Sequence, residues 1–169
     1  PSRFAFQRDY IVTSLDGEML LRGTSEWVLM SLETRSFVNL DSVYEPPDYL
    51  LDEKNFERKP RKIQDFDTAG DKPFVVVPPY TAADINGHVN NTVYADYPFD
   101  AIKPGRDHGI ESFQIDFRHE VRTGEPLCIY TSRGEDVILT KGVDEGGETV
   151  FAARTKLSLI HISEPTRPI

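Results

Sequence analysis

Three polar side chains at alternate positions, Asp84, Asn86 and His88, open the most chemically suggestive stretch of this sequence. Residues 84–94 read Asp-Ile-Asn-Gly-His-Val-Asn-Asn-Thr-Val-Tyr. A histidine can move protons near neutral pH, a carboxylate can orient it, and a carboxamide can donate to developing negative charge. Hydrolysis of an acyl group needs those parts. Asp84, Asn86 and Gly87 are turn formers, and 89–97 can run as a helix with Asn or Asp just ahead to cap it. The free amides of a helix start suit a negative or polarised oxygen. The same ingredients also describe an Asx-rich helix cap with a histidine nearby, so chemistry alone leaves both readings open.

A second candidate lies downstream. Residues 112–121 read as a strand in which Phe113, Ile115, Phe117, His119 and Val121 alternate with Gln114, Asp116, Arg118 and Glu120. Period two puts Glu120 on the polar face, where a glutamate can simply meet solvent. His119 falls on the opposite face, as packing or surface. His108 stands in a loop with no partner at catalytic spacing.

These residues need a frame, and the pattern supplies strands with one convincing helix. Asp16-Gly17 favours a tight hairpin turn between strands at 10–15 and 19–23, and 26–32 extends the meander. From 39 to 70 the pattern dissolves into proline, basic and Asp-rich sequence, a connector. Val75, Val76 and Val77 form a short buried strand leading into the 84–94 segment. Strands at 112–121, 126–132, 136–141 and 149–159 follow, with turns at Thr123-Gly124, Arg133-Gly134 and 144–147. A helix followed by four antiparallel strands gives an α+β domain.

A chain of 169 residues can bury a core as one domain or two small ones. No run of apolar residues reaches the 18 or so that a membrane helix needs. The net charge of −9 argues against nucleic acid, because phosphate binding needs a basic face. The one cysteine, Cys128, cannot form an internal disulfide and sits between Leu127 and Ile129, as a small buried thiol. His88 and the nearest acids lack a metal-ligand spacing.

The segment Asp84-x-Asn86-Gly87-His88-Val89-Asn90-Asn91-x-x-Tyr94 resembles the signature of the fatty acyl-ACP thioesterases, enzymes built from two hotdog domains in tandem. Three further stretches fit the same family in order: residues 6–27, residues 27–35, and 115–125, Ile-Asp-Phe-Arg-His-Glu-Val-Arg-Thr-Gly-Glu. The resemblance implies a hotdog fold, an antiparallel sheet wrapped round a central helix. It divides the chain into residues 1–45, late strands of a first hotdog; 46–73, a linker; 74–160, a complete second hotdog; and 161–169, a non-native tail. It implies that the chain starts within a domain, so that the apolar face of its first strands lies uncovered and its activity is low or absent. It also places Glu120 on the position of the family's catalytic acid.

The implied reaction is water attack on the thioester of a fatty acyl group carried by acyl carrier protein, releasing free fatty acid and ending fatty acid synthesis. His88 and Glu120 together activate the water, Asp84 fixes the orientation and charge state of the site, and Asn86 with the helix-start amides polarises the carbonyl. Asn90 and Asn91 cap and brace the helix, Tyr94 packs beneath it, and Pro98 kinks or ends it. A thiolate scheme needs Cys directly after the glutamate, where this chain has Val121. No cofactor and no metal are implied. An acidic carrier needs a local basic patch, and the densest is Lys54, Arg58, Lys59, Arg61 and Lys62. The resemblance implies a bacterial cytoplasmic or plant plastid setting and allows a homodimer. Two alternatives remain open at this point, a hotdog acyl-CoA thioesterase and an inactive acyl-binding fragment.

Overall fold

The computed structural model describes residues 3–45 and 53–159, and the tail at 161–169 lies outside them. The chain divides into two compact units, Pro1–Lys59 and Pro60–Ile169.

The first unit is a hairpin of β1 (Ala5–Thr13) and β2 (Met19–Val28), paired antiparallel from Ala5↔Val28 to Thr13↔Met19. Its turn closes where Gly17 takes φ +87°, a conformation that side chains resist. Asn55 ties the following chain to it, donating from Nδ2 to Tyr10 O at 2.8 Å and Gly23 O at 2.7 Å. Leu40 is the one buried hydrophobic residue described in this unit.

The second unit holds a five-stranded antiparallel sheet, in the order β3 (Phe74–Val76), β5 (Leu127–Arg133), β6 (Ile138–Val143), β7 (Thr149–Leu159), β4 (His108–Phe117). On one face lie two helical segments, α1 (Asn91–Tyr94) and α2 (Asp96–Ile102). Tyr94, Tyr97, Val121, Leu127, Ile129 and Phe151 meet there as the core. Tyr94 packs edge-on against Tyr97, Phe117 and Phe151 at 5.7–6.0 Å. Each large side chain withdrawn from water in this way contributes about 1.5–3 kcal/mol. Gly142 faces Phe151 so closely that a Cβ at position 142 would stand 2.3 Å from the ring.

Four expectations need correction. The helix expected over 89–97 begins at Asn91 and reaches Ile102, broken at Ala95. The break has a cause: Pro98 lacks an N–H, and its ring would strike the carbonyl of Tyr94 four residues earlier in one straight helix. Within α2 the proline occupies the first turn, where an N–H is dispensable. The strand expected at 75–77 is an edge strand with Phe74 and Val75 exposed, not a buried one. Cys128 is only partly buried: Leu127 and Ile129 take the core face, so the alternation of β5 turns the residue between them to the other side. The strand expected to run to Val121 stops at Phe117, which moves Glu120 off the sheet.

Candidate active site

The segment around His88 is a closed turn built by Asp84. Its backbone N–H donates to His88 O at 2.7 Å, and Gly87, at φ +78°, donates to Asp84 O at 3.1 Å. The Asp84 carboxylate accepts the amides of Asn86 at 2.8 Å and His88 at 3.1 Å. Desolvation would raise its pKa, but those amides from His88 and Asn86 outweigh it and hold the carboxyl below its ordinary value. Asp84 therefore fixes the backbone that bears His88 through the Asn86 and His88 amides. Asn86 remains exposed beside it, with Nδ2 3.4 Å from Asp84 Oδ2.

The partner of the ring is Glu120. The Arg118 and His119 amides both donate to Val150 O, at 2.8 and 3.1 Å, which ends the regular ladder with β7. The chain then crosses to the signature segment: Val89 N–H donates to Val121 O at 2.8 Å, and His88 bridges Arg122 antiparallel. Glu120, held between these anchors, brings Oε2 to 3.5 Å from His88 Nδ1. That is longer than a formed hydrogen bond and close enough for a small rotation or one water to complete it. His88 is 19% exposed and Glu120 57%, so the pair has a protected end and an open one.

The helix start is less open than the sequence implies. Val89 N–H is taken by Val121 O, Asn90 N–H by Ala82 O and Val93 N–H by Asn90 O. Thr92 N–H goes to the Asn90 side chain at 2.9 Å, which makes Asn90 the cap. Asn91 N–H is the remaining amide of this run. Beneath it burial pushes the Tyr94 phenol up to about 12, opposed by the Val121 backbone without a full hydrogen bond.

Other candidates fall apart from this group. His119 is exposed, 4.0 Å from Glu148, and His108 pairs with its neighbour Asp107 at 2.9 Å. In the basic run Lys59 is already paired with Glu26. Among the described residues no three His, Cys, Asp or Glu are gathered as for a metal ion. The sequence reading missed Asp65 and Lys141, which pair at 2.7 Å across 76 positions of chain and leave no local signal.

Residues 71–158, just over half of the chain, match the family model of the acyl-ACP thioesterase C-terminal domain, a span that contains the whole His88–Glu120 arrangement. The chain belongs to the acyl-ACP thioesterase family. Among curated relatives, oleoyl-acyl carrier protein thioesterase 1, chloroplastic, of Arabidopsis thaliana is 26% identical over 95% of the chain and 48% of the relative. The chloroplastic oleoyl-acyl carrier protein thioesterase of Coriandrum sativum is 25% identical over 91% and 46%. The chain thus spans about half the length of the curated relatives it matches. Among solved structures, the 12:0-ACP thioesterase of Umbellularia californica superposes with a TM-score of 0.73 at 25% identity, covering 94% of this chain and 63% of that one. An acyl-ACP thioesterase of Bacteroides thetaiotaomicron gives 0.74 at 22%, covering 94% and 65%. These likenesses show the α+β hotdog fold.

Proposed function

We propose that this acyl-ACP thioesterase chain hydrolyses the thioester between a fatty acyl group and acyl carrier protein, releasing free fatty acid and ending fatty acid synthesis. The approach of His88 Nδ1 to Glu120 Oε2 at 3.5 Å, inside the span matching the family, carries this reading. The relatives' names support the carrier-bound substrate. Residues 74–160 are then the second hotdog, bearing the site, and 1–45 the late strands of a first. A bacterial cytoplasm or a plastid is the setting we propose, in keeping with bacterial and chloroplastic relatives.

Water, polarised by the His88–Glu120 pair, adds to the thioester carbonyl and gives its proton to that pair. The tetrahedral oxygen gains negative charge opposite the Asn86 carboxamide and the Asn91 N–H. Collapse restores the carbonyl and breaks the carbon–sulfur bond. The pair returns its proton to the departing thiolate, so acid and free thiol leave in balance. Asp84 keeps His88 and Asn86 in register through their amides. The scheme uses no cofactor, because a thioester is already activated.

Measuring thiol release from acyl-ACP tests the scheme. His88→Ala and Glu120→Gln should each lower kcat by a hundredfold or more, and the double variant should lose little beyond the worse single, since partners in one step fail together. Asn86→Ala should cost about 3 kcal/mol of transition-state stabilisation, roughly a hundredfold. A double variant showing the product of two large single losses would refute a shared step.

A further inference from the structure

The sheet face opposite α1 and α2 carries a second polar system. Residues 61–66 cross it as a strap. Gln114 Nε2 donates to Arg61 O at 2.8 Å, Ile63 N–H donates to Asp116 Oδ2 at 2.6 Å, and Arg118 Nη2 donates to Ile63 O at 2.7 Å. Beyond them the Lys141 ammonium, almost wholly buried, donates to Asp65 Oδ1 and Phe66 O, both at 2.7 Å. The other Asp65 oxygen accepts from Thr149 Oγ1 at 3.2 Å and lies 3.9 Å from Arg118 Nη1. One guanidinium therefore spans a carbonyl and a carboxylate of the strap from a rigid planar fork, a geometry that a lysine at the same position would not reproduce.

Arg118 stands where the chain leaves the sheet. Its backbone shares Val150 O with His119, and three residues on, Val121 O is fixed by Val89. Glu120 lies between those anchors, outside the strands. The orientation of that short span depends on how firmly its Arg118 end is held. We propose that Arg118, locked by the strap through Ile63 and Asp65, is a positioning residue that holds the Glu120 carboxylate at His88. This rests on the reading of His88 and Glu120 as the reacting pair. A shift of about 1 Å in a reacting group can cost on the order of a hundredfold in rate, so the guanidinium acts on turnover without touching substrate.

The test combines turnover on acyl-ACP with the ring 15N resonances of His88, which report on the Glu120 carboxylate whatever the rate. Arg118→Lys and Asp65→Asn should lower kcat roughly 10- to 100-fold at unchanged KM. Arg118→Lys should shift the His88 ring signals in the same direction as Glu120→Gln, and should lower kcat no further in the Glu120→Gln background. Gln114→Leu releases the strap at Arg61, away from Glu120, and should lower the melting temperature without moving the His88 signals. Unmoved His88 signals in Arg118→Lys would overturn the positioning role, as would a further loss of kcat in the Glu120→Gln background. Full turnover in Glu120→Gln would instead defeat the reaction scheme, and the His88 signals would still decide whether Arg118 positions Glu120.

Discussion

The two units use similar strands to opposite effect. In the hairpin, Ile11 is 62% exposed and Leu20 63%, although β1 and β2 pair along their full length. In the sheet of the second unit, Leu127 and Phe151 are wholly buried. Hydrogen-bonded pairing alone covers backbone groups and leaves the faces open. Burial needs a second layer, which α1 and α2 supply to one face and the strap at 61–66 to the other. The reaction proposed for His88 and Glu120 draws on the buried unit, because such a pair keeps its geometry only where its backbone cannot drift.

The sharpest way to break this comparison is truncation of one large apolar strand residue in each unit. Phe151→Ala should cost about 3–5 kcal/mol in denaturant unfolding. Leu20→Ala, in a side chain already exposed, should stay within about 0.5 kcal/mol. Comparable losses would mean that the hairpin buries its face as the sheet does.

A smaller effect separates the units by pH. The hydrogen bond from Lys141 holds Asp65 below its ordinary pKa, burial opposing it and the Phe66 amide adding to it. A carboxyl lowered in the folded state contributes stability that is fully present above its unfolded value of about 3.9, and that stability is lost as pH falls through the folded value. The stability of the second unit should fall from pH 5 toward pH 3, and Asp65→Asn should flatten that slope. An unchanged slope in Asp65→Asn would mean that the strap contributes no acid-sensitive stability. The smallest effect is expected at Cys128: Cys128→Ser should retain near-normal turnover, and loss of thiol release in a folded variant would revive a thiolate mechanism.

Much of the fold was legible in the sequence, and the failures have physical causes. The signature turn, the hairpin at Gly17 and the strand at 149–159 follow from local chemistry: Asx groups, a positive φ and period two. Glu120 was singled out through resemblance and placed on a strand by pattern, because alternation continues to Val121 while the backbone changes partners at Arg118. Period records which residues are apolar, not which strand they pair with. The strap was read as connector because its composition is polar, and the groups that fix Asp65 lie as far away as Lys141 and Thr149. At Cys128 the apolar run 127–129 concealed which face each member takes.

Gly142 and Phe151 are opposite one another in the ladder, and the ring fills the volume that any side chain at 142 would occupy. The two positions therefore vary as a linked pair and not as independent sites. A larger residue at 142 is tolerable only after Phe151 has become smaller, and that first step opens a void beneath Tyr94. Neutral drift at this point of the sheet must cross a less stable intermediate in either order, so among diverging copies this pair should be among the slowest to change.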